Sequence, residues 1–256
     1  MQSKQSEWHE QWSMMSDNEL SLFQDWIKPH TMEVFKGKTV LECGCGGGQH
    51  TAFVAPQASH ITAIDLNTTD IAKKRNSNNN NVTFIEADIA GMNLGRTFDV
   101  VFSIGVIHHT DNPDETFRAM VRHCAPGGVV IIWVYSREGN LLVRSIVEPI
   151  RKMFLRRMNR KALSLLAKVI TMLLYVPVYS FYLLPVRGLP YYLYFKNFRK
   201  LSFARNVLNV FDKLNAPQVD FISKRRIHKW FSSGEFESYD ISSYLGVSWR
   251  GTGIKR

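Results

Sequence analysis

Five strand-like segments alternate with helical or polar segments between residues 38 and 135, and this alternation constrains the fold more than any other feature. The predicted strands are 38–41, 60–65, 82–85, 98–104 and 129–135, and the predicted helices are 49–55, 70–76 and 113–124. The fourth strand, Phe-Asp-Val-Val-Phe-Ser-Ile, is apolar at nearly every position, as expected for a strand covered on both faces. The pattern predicts a doubly wound, mostly parallel α/β sheet.

A glycine-rich stretch follows the first predicted strand. Residues 40–48 read Val-Leu-Glu-Cys-Gly-Cys-Gly-Gly-Gly, and glycines let a backbone approach a ligand closely. A dinucleotide-binding loop would carry a third glycine where this chain has Gln49. The spacing therefore disfavours an NAD-dependent oxidoreductase and leaves another nucleotide-like ligand.

Polar residues with possible binding roles follow the other predicted strands. Asp65 ends the second strand, Asp88 follows the third, and Ser103–His109 follows the fourth. Ligands of doubly wound sheets bind at the carboxyl ends of the strands, where the strand order reverses. Asp65 is placed to accept hydrogen bonds from two ribose hydroxyls. The alternative is a helix cap or an ordinary surface acid.

Several short motifs together resemble the class I S-adenosylmethionine (SAM) methyltransferases, most closely the branch that modifies small molecules, quinones and lipids. The motifs are residues 40–48, Ala-Ile-Asp-Leu at 63–66, Ala-Asp-Ile at 87–89, Phe98–His109 and Ala-Pro-Gly-Gly at 125–128. The resemblance covers 38–135 and the tail from Trp230, and departs from the family only in Glu42, where Asp is commoner. It implies a seven-stranded sheet with a terminal antiparallel hairpin and SAM as methyl donor, and leaves the acceptor open.

The resemblance also implies a set of cofactor-binding residues. Asp88 and Ile89 would contact the adenine, and Glu42 would either orient the loop or meet the ammonium group of the methionine part. The full set is Glu42, Gly44, Cys45, Gly46, Gly48, Asp65, Leu66, Asp88, Ile89, Ser103 and Ile104.

Two adjacent histidines are the candidate catalytic residues. Methyl transfer needs mainly alignment, with help from a base when the acceptor carries a proton, and a histidine can supply that base near neutral pH. His109 is favoured over His108, and the alternative is that both rings only pack beside the cofactor. Asp212 stands in a segment that lines the acceptor side in similar proteins, and it is the candidate substrate contact.

Charge is divided unevenly along the chain. Residues 1–136 carry 10 Lys/Arg against 15 Asp/Glu, whereas residues 137–256 carry 22 against 7. The basic half indicates an anionic membrane surface, a phosphorylated substrate or nucleic acid as partner, or simply a soluble basic surface. A nucleic-acid methyltransferase is disfavoured, because Gly-Val-Ile-His-His stands where those enzymes usually carry Asn/Asp-Pro-Pro-aromatic. A non-catalytic SAM-binding protein is the second alternative.

An apolar segment, residues 162–184, contains a single charge, Lys168. Its length would suffice for a membrane span. A span would, however, place the fifth strand and the terminal hairpin on opposite sides of a bilayer. The segment is therefore predicted to be a buried cap over the substrate, an interfacial element beside the basic residues 151–161, or a re-entrant element, with a break at Pro177. The cap and the interfacial element would both suit a lipophilic acceptor.

The expected organisation has four parts. Residues 1–36 form a helical cover, 37–143 the SAM-binding core, 144–215 the helical insertion, and 216–256 the last helix and hairpin. Three cysteines, too few for a disulfide framework or a zinc site, and an N-terminus without a signal-peptide core predict a cytoplasmic protein, with membrane association left open. The expected activity is SAM-dependent methylation of an O, N or C atom of a small molecule, with no metal, and the oligomeric state stays open.

Overall fold

A computed structural model describes residues 6–15 and 18–256 of the chain. Its centre is a seven-stranded sheet in the order β3-β2-β1-β4-β5-β7-β6. The strands are β1 (Thr39–Cys43), β2 (His60–Asp65), β3 (Val82–Glu86), β4 (Phe98–Ile104), β5 (Cys124–Tyr135), β6 (Phe236–Tyr244) and β7 (Ser248–Lys255). The first five are parallel, and β7 runs antiparallel to both β5 and β6. The predicted fold class, including the terminal hairpin, is confirmed.

Ten α-helices surround or extend this sheet in the described part of the chain. They are α1 (Ser6–Met14), α2 (Leu20–Trp26), α3 (Gln49–Val54), α4 (Thr69–Arg75), α5 (Pro113–Arg122), α6 (Glu148–Met153), α7 (Arg160–Val178), α8 (Tyr192–Phe198), α9 (Phe203–Asn215) and α10 (Lys224–Phe231).

Alternate residues of the central strands pack on opposite faces of the sheet. Leu41 and Val101 belong to a core cluster that also contains Phe117 of α5, whereas Val40 and Phe102 belong to a second cluster with residues of α2. Burial on both faces explains why β1 and β4 are almost continuously apolar. The strand order reverses between β1 and β4, which brings the ends of these two strands together.

Strand β5 begins earlier than the sequence predicts. The Pro-Gly-Gly turn expected before residue 129 instead lies inside the strand as a bulge, because Phe98 pairs with Cys124 and Val100 with Val129. Gly127 has φ +72, a conformation that glycine adopts readily.

All the regular secondary structure of the insertion after β5 is helical. Helix α7 packs along α9 around a third core cluster that includes Leu163, Ala167 and Phe211. The predicted break at Pro177 is displaced by one residue, since α7 ends at Val178. Pro177 has no amide hydrogen to donate to the carbonyl four residues earlier, and the helix continues for only one residue beyond it. The division into four parts at 36, 143 and 215 stays a prediction.

The segments that flank the insertion are hydrogen-bonded to each other at the end of β5. The Ile222 amide donates to the Tyr135 carbonyl at 2.9 Å, and the Arg137 amide donates to the Ile222 carbonyl at 3.0 Å. The chain therefore leaves the end of β5 and returns to it before α10.

Candidate active site

The glycine loop follows β1 at the point where the strand order reverses. Gly44, Gly46 and Gly48 have φ values of +86, +51 and +75. A Cβ atom on Gly48 would lie 2.6 Å from Asn76 Nδ2, and one on Gly46 would lie 2.9 Å from Trp12 Nε1. Positive φ and close neighbours thus explain why glycine stands at these two positions.

Asp65, at the end of β2, is hydrogen-bonded to the glycine loop. Its Oδ2 accepts from the Gly46 amide at 2.8 Å, and its Oδ1 accepts from the Leu66 amide at 2.8 Å. The side chain is half-buried, and Leu66 beside it is exposed. A carboxylate held in this way keeps lone pairs for the hydroxyls of a ligand.

Asp88 and Ile89 lie after β3. Asp88 is exposed, and its Oδ1 accepts from the Ala90 amide at 3.0 Å. Ile89 is buried and packs in the core cluster with Leu41 and Cys43. Asp88 is therefore accessible to a ligand, whereas the structure gives Ile89 a packing role.

Glu42 is buried beneath the glycine loop. Thr51 Oγ1 donates to Glu42 Oε2 at 2.5 Å, and Oε1 has no hydrogen-bond partner in the described residues. Burial raises the pKa of Glu42 to about 8, the Thr51 bond lowers this pKa, and the charge of Asp65 raises it. Glu42 joins β1 to the first turn of α3, which supports the loop-orienting role predicted for it.

Ser103 and Ile104 end β4 beside the loop. Ser103 Oγ donates to the Cys43 carbonyl at 2.8 Å, which connects β4 to β1. Ile104 lines a cavity of about 650 Å³. Cys43, Cys45 and Cys124 are buried free thiols, and burial raises the pKa of each.

The two candidate catalytic histidines differ in which ring nitrogen is available. The Tyr135 amide donates to His108 Nδ1 at 3.4 Å, so the proton of the neutral ring lies on Nε2. His109 Nδ1 lies 2.8 Å from the Gln218 carbonyl, which can only accept, so Nδ1 carries the proton and Nε2 has a lone pair. Burial lowers the pKa of both rings, that of His108 most strongly. Only His109 therefore has a nitrogen free to act as a base.

Asp212 on α9 belongs to a hydrogen-bonded group between the core and the insertion. Tyr135 OH donates to Asp212 Oδ2 at 2.8 Å, and Gln11 Nε2 of α1 donates to Oδ1 at 3.3 Å. Asn215 Nδ2 in turn donates to Gln11 Oε1 at 2.9 Å. Burial, with Asp212 nearby, raises the pKa of Tyr135 well above its usual range, so the phenol keeps its proton.

The 650 Å³ cavity extends from the end of β4 to the insertion and is mainly apolar, with many aromatic side chains. The lining includes Trp12, Trp26, Trp133, Tyr135, Tyr182, Tyr191, Tyr194, Phe195 and Phe198. Two cations, Arg205 and Lys213, and one carboxylate, Asp212, also line it. Neither His108 nor His109 is among the described residues that line this cavity.

Most of these cavity residues belong to no recognisable motif. Sequence motifs indicated Asp212 and Ile104, but the aromatic side chains come from α1, α2, β5, α8 and the segment between α7 and α8. Tyr135 was assigned only to a strand. Aromatic residues at irregular spacing in 182–198 were the one available signal, and they have no periodicity that would indicate which of them face a cavity.

The residues present suit SAM as a ligand. Glycines at positive φ leave the loop backbone without side chains, and Asp65 supplies a carboxylate for ribose hydroxyls. Within residues 6–15 and 18–256, no three His, Cys, Asp or Glu side chains are close enough to hold a metal ion.

Comparisons with known proteins agree with this site. Residues 41–132 match the family model described as a methyltransferase domain. The ubiquinone biosynthesis O-methyltransferase of Schizosaccharomyces pombe is 30% identical over 128 residues, which are 48% of this chain and 46% of that protein. The Rickettsia typhi protein of the same name is 30% identical over 124 residues, 47% of this chain and 50% of that protein. The chain thus spans about half the length of these curated relatives.

Among solved structures, the N-methyltransferase NodS from Bradyrhizobium japonicum, in complex with S-adenosyl-L-homocysteine, has a TM-score of 0.50 at 12% identity. The match covers 99% of this chain and 98% of NodS, and it supports the fold alone. The order of strands, the glycine loop with Asp65 and the domain match lead to one family. Residues 41–132 therefore form a methyltransferase domain of the class I SAM-dependent type.

Proposed function

We propose that this protein methylates a small lipophilic molecule that binds in the aromatic cavity. The observation that carries the proposal is the position of this cavity, which begins at Ile104 and Gly105, beside the glycine loop, and ends in the insertion. Its volume of about 650 Å³ lies in the range of small-molecule sites. SAM supplies an electrophilic methyl group, and its transfer requires mainly alignment with the acceptor.

The cavity walls favour an acceptor with an aromatic or otherwise apolar body. The Trp26 and Trp133 rings lie 4.9 Å apart on one side, and Tyr194 lies on another. Lys213 Nζ donates to Tyr194 OH at 3.2 Å, which adds a cation to an otherwise apolar wall. The relatives named ubiquinone biosynthesis O-methyltransferase support a hydroxyl oxygen as the methylated atom.

Asp212 and His109 are the two candidates for the group that takes the acceptor's proton. Asp212 lines the cavity, and Tyr135 and Gln11 orient its carboxylate. His109 has a lone pair on Nε2 but is not among the described residues that line the cavity, and its ring centroid lies 6.0 Å from that of Tyr135. We infer that Asp212 contacts the acceptor directly and that His109 is a positioning residue.

The activity is tested with methyl-labelled SAM, purified protein and a cell extract, followed by separation into organic and aqueous phases. We expect label in the organic phase. Label only in RNA or DNA would support the nucleic-acid alternative. Absence of any labelled product, with SAM still bound, would support a non-catalytic SAM-binding protein.

The two base candidates are separated by Asp212→Asn and His109→Gln. If Asp212 takes the proton, Asp212→Asn should lower kcat by about 100-fold or more, since general bases contribute roughly 10²–10⁴-fold. The His109→Gln variant should then lose less activity and keep the pH dependence of the parent. The reverse ranking would assign the base to His109, and SAM affinity measured in both variants controls for damage to the cofactor site.

A further inference from the structure

We propose that the exposed apolar surface of the insertion binds to the surface of an anionic lipid bilayer without crossing it. This inference goes beyond the proposed function and holds for any acceptor, because it concerns the outer face of the insertion rather than the cavity.

Helix α7 is apolar on two opposite faces, and only one of them is covered. Leu163, Ala167 and Thr171, spaced four residues apart, are buried against α9 and its neighbours. The opposite face is exposed and consists of Leu165, Val169, Met172, Leu173 and Val176. Leu173 and Val176 are 65% and 69% exposed. A soluble helix usually has polar residues on its outer face, whereas α7 exposes a single charged residue, Lys168, between residues 162 and 178.

Two segments that flank α7 in the sequence also expose large apolar side chains. Residues exposed after α7 are Phe181, Leu183, Leu184 and Val186. Before it, Leu142, Ile146 and Ile150 are exposed at helical spacing, followed by Met153 and Phe154. Soluble monomers rarely expose so many large apolar side chains within one subdomain. We call these residues, together with the exposed face of α7, the apolar surface.

The charge of the insertion indicates what covers this surface. Residues 144–215 contain 14 Lys/Arg and 2 Asp/Glu. Arg156, Arg157, Lys161 and Lys168 are exposed beside the apolar surface. Apolar side chains combined with basic ones match an anionic bilayer, in which acyl chains lie beneath anionic headgroups. A second copy would instead bring two strongly basic surfaces together.

Helix α7 is long and apolar enough to span a bilayer by length and composition, with 22% of its most apolar window buried. The sheet excludes a crossing. Strand β5 precedes α7 and β7 follows it, yet the two strands pair directly from Val129 with Ile254 to Tyr135 with Ser248. A single crossing would separate them, so α7 must lie along the membrane surface.

The same segments connect the apolar surface to the cavity. Ile170 and Leu174 of α7 line the cavity, as do Val143 and Val147. Each of these helical segments therefore has one face toward the cavity and another toward solvent. A lipophilic molecule dissolved in the bilayer would meet the cavity wall without passing through water.

The test is flotation of the full-length protein on a sucrose gradient, with vesicles of phosphatidylcholine alone or with phosphatidylglycerol as about a third of the lipid. We expect flotation with the anionic vesicles at least about tenfold stronger than with the neutral ones. Raising NaCl to about 1 M, where the screening length is about 3 Å, should reduce this difference.

Two double variants examine the two contributions. Leu173→Glu with Val176→Glu should weaken binding by at least about tenfold, because two apolar side chains that would be buried in the bilayer are replaced by charged ones. Arg156→Gln with Arg157→Gln should weaken binding to the anionic vesicles by roughly 25-fold, since each basic residue contributes about fivefold. The matched control is Tyr239→Glu with Ile254→Glu, on the terminal hairpin. These two side chains are 45% and 38% exposed, and their replacement should leave flotation unchanged.

SAM affinity, measured without lipid, confirms that each variant is folded. Absence of flotation by the parent protein would overturn the proposal, as would equal flotation of the Leu173/Val176 variant. Self-association by light scattering that these two glutamates abolish would also overturn it and assign the surface to a second copy. Because binding is measured without acceptor, failure here would leave the proposed methyl transfer untouched, and the reverse also holds.

Discussion

At the scale of single residues, Asp65 joins the two parts of the candidate SAM site. It accepts hydrogen bonds from the Gly46 and Leu66 amides and keeps lone pairs for a ribose. Asp65→Asn should lower SAM affinity by about 100-fold, because two charge-assisted hydrogen bonds are weakened. Isothermal titration calorimetry measures this loss, with Asp240→Asn on β6 as a matched control. Unchanged affinity in Asp65→Asn would mean that the ribose binds elsewhere.

The burial of Glu42 predicts a specific pH dependence of stability. Its native pKa is raised to about 8 from 4.5, so the native state keeps a proton that the unfolded state loses as pH rises. Stability should therefore fall between about pH 4.5 and pH 8, by at most about 1.4 kcal/mol per pH unit from this group. Glu42→Gln should remove this part of the slope in urea unfolding experiments, and an identical slope in both proteins would contradict the assignment.

Proton release on SAM binding distinguishes the two roles predicted for Glu42. If an ammonium group of SAM meets Glu42, its carboxyl group must ionise, and binding near pH 7 should release a proton. If Glu42 only orients the loop through Thr51, SAM binding should release none from it. Calorimetry in buffers with different ionisation enthalpies measures the proton count, and Glu42→Gln provides the reference.

The position of a residue could be predicted from the sequence where its motif is compatible with one geometry only. Asp65 follows a strand and a glycine loop, and the structure brings it to that loop. Ile89 is buried with Leu41 and Cys43, and its expected contact with the adenine stays a prediction, because an isoleucine after a strand suits a core as well as a ligand. The tautomers of His108 and His109 depend on Tyr135 and Gln218, which are distant in the sequence, and no local pattern could indicate them.

At the scale of elements, Gly48 in the glycine loop and Gly37 before β1 separate the cost of backbone strain from the cost of close contact. Gly48 and Gly37 have φ values of +75 and +65. A Cβ atom added to Gly48 would have neighbours within 4 Å, whereas one added to Gly37 would have none among the described residues. Gly37→Ala should cost about 1–2 kcal/mol of unfolding free energy from strain alone. Gly48→Ala should cost a further 1–3 kcal/mol or so, because Ala72 and Asn76 must move.

Urea unfolding of both variants measures this difference. Gly48→Ala should also weaken SAM binding, whereas Gly37→Ala should not, since Gly37 precedes β1. Equal destabilisation of the two proteins would show that contact with α4 is unimportant for the loop.

Element type was more predictable than element length. Alternating apolar segments located the first five strands and the helices between them, because local periodicity determines them, whereas the terminal hairpin was expected from the family resemblance. The bulge in β5 was not foreseen, because it arises from pairing of Cys124 with Phe98 of another strand. Helix α7 was expected as an apolar cap or interfacial element, but which of its faces packs on α9 depends on tertiary contacts.

At the scale of the whole molecule, the cavity was the least predictable feature. It is enclosed by α1, by the ends of β4 and β5, and by helices of the insertion, which are far apart in the sequence. Composition indicated a basic and apolar second half, and the structure adds that these residues surround an aromatic space. Long-range packing of this kind leaves no periodic signal in a single sequence.

The paired ends of the insertion have an evolutionary consequence. The Ile222 amide donates to the Tyr135 carbonyl, and the Ile222 carbonyl accepts from the Arg137 amide, at the point where the intervening segment leaves and returns. With its ends held together, that segment can lengthen, shorten or be replaced at little entropic cost and without changing the register of β5 against β7. Descendants of one ancestral core could thus acquire new acceptors by exchanging this segment while they inherit the glycine loop unaltered.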